Sequence, residues 1–258
     1  MNHVVTGGFF AVFLFVGMLV LLEVGRRWGT RRLAFDIEGA RQGLGAIDGA
    51  IFALLGLLIA FTFSGAATRF DARRALIVEE TNDIGTAWLR LDLLPAEAQP
   101  ALRESFRRYV DSRLEVYRKL PDVAAAFEAL VQSNALQGEI WNRAIAASRE
   151  GAAPSAPMLL FPALNAMFDI TTTRTAAARF HPPPIVFVML GLTALVSALL
   201  AGYGMAGGKK RSLIHMLSFA IITAVAAFVI LDLEYPRTGF IRIEAADQAL
   251  VDLRQTMN

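Results

Sequence analysis

The sequence predicts an all-α, polytopic membrane protein with four transmembrane helices and a helical-bundle domain inserted between the second and third spans. Apolar residues make up 55% of the 258-residue chain and mean hydropathy is +0.47, the profile of a membrane protein. They bunch into windows long enough for the roughly 20 residues that cross about 30 Å of hydrocarbon: Val4 to Val24, Ala46 to Ala67, Ile185 to Ala206 and Leu213 to Leu233. Between the second and third windows the periodicity is helical, with no strand-like alternation. The chain therefore divides into residues 1–67 for the first two spans, 68–183 for an extramembrane helical bundle, 184–235 for the last two spans, and 236–258 for an amphipathic C-terminal helix packing on the bundle.

The first window reads as a retained anchor, because no basic residue precedes it and VLLEVGRR offers no small-x-small cleavage site. Orientation follows the basic residues of the short loops. Arg26, Arg27, Arg31, Arg32 and Arg41 follow the first span, and Lys209, Lys210 and Arg211 join the last two. Both loops are thus expected in the cytoplasm, with the bundle on the periplasmic side of a bacterial inner membrane. Arg69, Arg73 and Arg74, just after the second span, pull the other way.

In the bundle segment, Phe70, Ile77, Thr81, Ile84, Trp88 and Leu91 recur at helical steps that continue the second span, so one long helix is expected to run to Leu94, before Pro95. A second helix, about Glu97 to Leu120, carries Leu102, Phe106, Tyr109, Arg113 and Tyr117 on one face. Pro121 stops it. Asp122 is the expected N-cap of a third helix reaching about Ser148, with Phe127, Leu130, Val131, Ile140 and Trp141 as its apolar residues. GAAPSAPMLLFP, residues 151–162, reads as a loop, and a fourth helix spans about Ala163 to Phe180. In the C-terminal segment Ile243, Ala246, Leu250 and Leu253 share a face.

Without cysteine, disulfides, thiolate metal sites and a cysteine nucleophile are excluded, and His3, His181 and His215 are too scattered to suggest a metal site. No catalytic or nucleotide-binding motif is present, and AGGKKRS lacks the P-loop spacing and the strand before it. Glu79 and Glu80 are adjacent on a helix and point in different directions, so they do not make an acid/base pair. No enzyme activity and no cofactor is expected. Basic and acidic residues balance in 68–183 with no basic stripe, which argues against nucleic acid as a partner.

Gly45, Gly49, Ala53, Gly56, Ala60 and Ser64 form one stripe of small residues along the second span. Such a stripe admits another backbone, because lipid gives helices no hydrophobic drive to associate. It serves either packing within one subunit or the axis or seam of a homo-oligomer. Phe52, Ile59 and Phe63 lie on a neighbouring face, where they are either ordinary apolar contacts or a constriction that gates by dewetting. Asp48, early in this span, either suits the positive helix N-terminus or faces an aqueous vestibule.

In ILDLEYPRTGFIRIE the fourth span ends on Asp232 and Glu234, where the helix dipole disfavours carboxylates. Pairing with Arg69, Arg73 and Arg74, and with Arg237 just beyond, is expected to offset that cost in a membrane-face charge cluster. Glu79, Asn82, Asn165, Asp169 and Arg174 are either solvated residues or the lining of a polar vestibule.

FSGAATRFDARRALIVEETNDIGTAWLRLDLLP, RRYVDSRLEVY, the N-x-x-x-D before HPPPIVFVML, and ILDLEYPRTGFIRI resemble the bacterial bestrophin-like domain family of unknown function, from about Gly39 to Leu253. The resemblance implies a distant similarity to bestrophins, pentameric anion channels whose pore helix carries bulky apolar neck residues. It makes Phe52, Ile59 and Phe63 the candidate neck. A cytoplasmic bundle, as in bestrophins, is the alternative to the orientation read from the loop charges. The expected function is a homo-oligomeric channel-like membrane protein, with lipid, further copies of the chain and small inorganic ions as partners. The alternative is a non-conducting scaffold or signalling protein whose bundle binds a partner.

Overall fold

The computed structural model describes residues 3–35, 44–207 and 212–257, all but the turns and links of which are helical. The α-helices are α1 (His3–Phe35), α2 (Leu44–Arg90), α3 (Gln99–Arg118), α4 (Val123–Arg149), α5 (Ser155–Arg179), α6 (Pro184–Gly204), α7 (Leu213–Glu234) and α8 (Glu244–Thr256). Stretches long and apolar enough to cross a membrane fall in α1, in α2, in the α5–α6 stretch and in α7. Gly39, Arg41, Lys209, Lys210 and Arg211 lie outside the described residues.

The chain forms two compact units, one of residues up to Arg69 with His181–Ile241, the other of Phe70–Phe180 with residues from Arg242 onward. In the first, α1 packs against α6 and α7. Gly25 and Gly202 bring α1 and α6 into backbone contact: a Cβ on Gly25 would collide with the Leu199 carbonyl oxygen, and one on Gly202 with that of Leu22. A Cβ on Gly29 would lie 2.8 Å from the Tyr203 carbonyl oxygen. Leu14, Met18, Leu22, Ala194, Ala198, Ala220 and Ala227 fill the rest of this seam, with Leu22 and Ala194 at 0% exposure.

The small-residue stripe of α2 behaves differently. Gly45, Gly49, Ala53, Gly56, Ala60 and Ser64 are all exposed, and a Cβ at Gly45, Gly49 or Gly56 would meet nothing within 4 Å. Among the described residues, nothing packs closely on the glycines of this stripe.

The second unit packs α3, α4, α5, α8 and the last turns of α2 around Ile84, Trp88, Leu91, Phe106, Tyr109, Ile140, Leu160, Leu164 and Leu250. Asp122 caps α4, accepting from the Ala124 and Ala125 amides at 3.1 Å each. Leu250 and Met257 are fully buried in this core, and Arg254 ties α8 to Asp111 of α3 at 2.8 Å.

Residues 155–162 are helix, not loop, because Pro157 falls in the first turn of α5, where its missing N–H costs nothing. Pro162 lies inside the helix, and Arg90 donates to the nearby Leu159 carbonyl. On α4 the inward face is Ala126, Ala129, Ser133, Leu136, Ile140, Ala144 and Ala147, while Phe127 and Val131 are 57% and 53% exposed. Small residues let α4 lie close, and the bulky ones are turned away.

Gly25→Ala is expected to cost about 1–3 kcal/mol by overpacking the α1–α6 crossing, whereas Gly138→Ala, at an exposed position of α4 where a Cβ meets nothing within 4 Å, is expected to be neutral or slightly stabilising. Thermal melting of the two detergent-purified variants checks this; equal losses would contradict the close crossing.

Candidate functional site

In the first unit, Glu234 ends α7 at 1% exposure and is the centre of a charge cluster. Arg69 of α2 donates to it through Nε at 2.9 Å and also through Nη2. His181 Nδ1 lies 3.4 Å from the second carboxylate oxygen, and its ring stacks on Tyr235 with centroids 4.6 Å apart. Asp232 takes a different partner from the expected arginines. Its carboxylate accepts the Phe240 amide at 2.9 Å and the Ile241 amide at 2.7 Å, strapping the turn after α7 to the helix.

Arg73 and Arg74 also have partners other than Asp232 and Glu234. In the second unit, Arg73 donates to the Ala177 carbonyl at 3.1 Å and the Phe180 carbonyl at 2.8 Å, closing the C-terminal end of α5. Arg74 reaches Asp71 of its own helix at 3.5 Å. Arg237, in the first unit, is half-buried in the turn that Asp232 straps.

A groove of about 260 Å³ in the first unit is lined by Leu58, Phe61, Gly65, Val186, Phe187 and Ile230, with Arg69 at its wall. The candidate neck residues divide. Phe52 is half-buried against Phe219, with ring centroids 6.3 Å apart and planes nearly perpendicular, and Ile59 is also half-buried. Phe63 is 47% exposed. Asp48 is half-buried and sits one turn inside α2, because that helix begins at Leu44.

The second unit holds an ionic nest that sequence reasoning missed. Glu80, at 0% exposure, accepts from Arg113 Nε at 2.6 Å, from the Tyr117 hydroxyl at 3.2 Å, and from Arg174 Nη1. Arg113 Nη2 also donates to the Tyr117 oxygen, and the Arg174 guanidinium lies over the Tyr117 ring at 4.1 Å. Arg174 Nη2 is 3.9 Å from Asp247 of α8. Beside the nest, Tyr109 and Thr171 share a 3.1 Å hydrogen bond, and Gln137 donates to both, at 3.2 and 3.3 Å.

Glu80 lies on α2 well beyond the apolar window that ends at Ala67. Burial pushes its carboxyl up, but the Arg113 and Arg174 guanidiniums outweigh that, and the net result is below the usual carboxylate range. Burial and the Glu80 charge push the Tyr117 phenol up, so it remains a donor at neutral pH. Of the candidate vestibule residues, Glu79, Asn82, Asn165 and Asp169 are exposed, and Arg174 is drawn into the nest. Burial, then Glu79 and Glu80, push the half-buried Asp83 carboxyl up.

The signal for the nest lies in register. Glu80 continues the buried row Ile77, Ile84 and Leu91, and Arg113 sits in the row Phe106, Tyr109, Tyr117. An arginine in an apolar stripe requires a buried acceptor.

Helices suited to a membrane, close glycine crossings and charge clusters at helix ends define an all-helical polytopic membrane protein. A family model, the Bestrophin-like domain, matches residues 12–248, and the chain belongs to that family. It is similar to the crystal structure of a mutated bacterial bestrophin homologue from Klebsiella pneumoniae, with TM-score 0.63, 15% identity, and coverage of 92% of this chain and 98% of that one. A second crystal structure, described as a membrane protein, gives TM-score 0.60 at 16% identity over 93% of this chain and 98% of that one. These likenesses establish the fold. Comparison with curated proteins gives no match.

Glu80→Gln leaves two buried guanidiniums without their counter-charge and is expected to cost about 3–5 kcal/mol. Because the folded carboxyl lies below its ordinary range, its stabilisation is present above that range and is lost as pH falls through the folded value. Wild-type stability should therefore decline on acidification, and the Gln variant, already lower, should decline less. Parallel pH profiles of melting temperature would contradict this assignment.

Proposed function

We propose that the protein is a homo-oligomeric channel-like protein of the bacterial inner membrane that passes small inorganic ions, anions foremost, through an axis lined by α2. The observation that carries this reading is the stripe from Gly45 to Ser64, small along its whole length and exposed, with no described residue close to its glycines. Small residues in lipid gain by admitting another backbone, and a second copy supplies one. Membership of the Bestrophin-like family and the likeness to a bacterial bestrophin homologue support the same reading.

On this reading Phe63 is the neck residue of the three candidates, since Phe52 and Ile59 are turned toward their own subunit. The mechanism is passive flow past an apolar constriction, with Arg69 and Glu234 shaping the potential at the membrane face. The loop charges orient the bundle toward the periplasm. A second reading, a non-conducting protein whose bundle binds a partner, is favoured by the exposed apolar row Val123, Phe127 and Val131 on α4, exposed by 72%, 57% and 53%.

Ion flux from liposomes, measured with the mass of the detergent-solubilised particle, separates the two. Wild type is expected to be oligomeric and conducting. Gly56→Leu is expected to dissociate the oligomer and remove flux, and Phe63→Ala to raise flux severalfold. A monomeric wild-type particle, or flux no greater than that of empty liposomes, overturns the channel reading.

Orientation is tested separately. The chain has no cysteine, so Gly138→Cys, at an exposed position of α4, provides a unique thiol. It is expected to react with a membrane-impermeant maleimide in cells whose outer membrane is permeabilised. Protection until the inner membrane is broken would reverse the orientation.

A further inference from the structure

Among the described residues, the side-chain atoms buried in the second unit without a hydrogen-bond partner include Arg113 Nη1 and Ser133 Oγ. Arg113 is 1% exposed and Ser133 0%. Buried polar groups are almost always satisfied, so each unpartnered one requires a cause.

The two belong to one layer of one helix contact. α3 and α4 are antiparallel neighbours whose register is fixed by side-chain bonds. Ser105 donates to Glu139 at 2.9 Å, and about a turn further along α3 Gln137 donates to the Tyr109 hydroxyl at 3.2 Å. One more turn in each helix brings Arg113 opposite Ser133.

Both groups have a proton to donate, and a guanidinium can do nothing else. The acceptors around them are occupied. Glu80 already receives Arg113, Arg174 and Tyr117, while Tyr109, Thr171 and Gln137 bond one another. Arg174 pairs in addition with Asp247 of α8 at 3.9 Å, so its guanidinium is also engaged. A water would accept from both donors but add buried O–H groups of its own.

We infer that the layer between α3 and α4 binds a small monovalent anion of the chloride class, held by Arg113 Nη1 and Ser133 Oγ. The anion accepts from both and adds no donor.

The test uses the full-length protein in detergent, melted in sodium chloride or sodium bromide against sodium gluconate at constant ionic strength, with bromide-soaked crystals read by anomalous diffraction. The melting temperature of wild type is expected to rise saturably with either halide, with a bromide peak beside Arg113 and Ser133. Ser133→Ala should raise the half-saturating halide concentration about tenfold or more, the worth of one hydrogen bond to a charged group. Ser133→Thr, which keeps the hydroxyl, should retain the response. Halide-independent melting, or a Ser133→Ala variant with the wild-type halide response, would overturn the site and leave a water or an unfilled layer there. If Ser133→Ala fails to fold, absence of the bromide peak from wild-type crystals overturns it independently.

Discussion

Hydrocarbon gives one apolar helix no reason to prefer another helix over lipid, so a membrane bundle must gain by closeness of fit. The first unit depends on this constraint. α1 and α6 meet at Gly25, Gly29 and Gly202, where the partner's main chain occupies the space of a side chain. α2 has the same chemistry, a stripe of glycine, alanine and serine, exposed and with no described residue close to its glycines. One physical rule therefore produces a closed seam and an open one. The open seam is what the proposed self-association around α2, and with it the proposed conduction axis, rests on.

The second unit is held by a different balance. Trp88, Phe106, Tyr109, Ile140 and Leu160 bury apolar surface around a charged centre, Glu80 with Arg113 and Arg174. Such a nest contributes little net stability, because desolvation of the ions cancels much of their attraction. Its effect is on register. Glu80 comes from α2, Arg113 from α3 and Arg174 from α5, so sliding any of these helices by a turn would strand a charge in an apolar core. The asymmetry between a satisfied and a broken buried pair makes the arrangement specific.

The helical class, the four apolar windows and the long unbroken α2 were legible because hydropathy and period report directly on burial and on secondary structure. The start of α5 was not, since Pro154, Pro157 and Pro162 read as loop, although a helix tolerates proline in its first turn. The face that α4 buries was not legible either, because the helix turns small residues inward and leaves Phe127 and Val131 exposed. The nest was half-legible: Arg113 stood in an apolar row with no acceptor assigned, while Glu80 was judged only against its neighbour Glu79. The neck reading of Phe52 and Ile59 rested on spacing along one helix, which cannot show that Phe219 covers Phe52.

The end of α7 shows how one local cost is met twice. A carboxylate at a helix C-terminus opposes the dipole, and near lipid it also loses solvation. Glu234 meets this with a cation, Arg69, and with the His181 ring beside it. Asp232 meets it with main-chain donors, accepting the amides of Phe240 and Ile241 and so folding residues 235–241 back over the helix end. That close return explains Gly239, where a Cβ would lie 2.6 Å from the Asp232 carboxylate. The two acidic residues that look misplaced in an apolar helix thus have separate tasks. Glu234 joins α7 to α2, and Asp232 turns the chain at the boundary where α8 is about to begin.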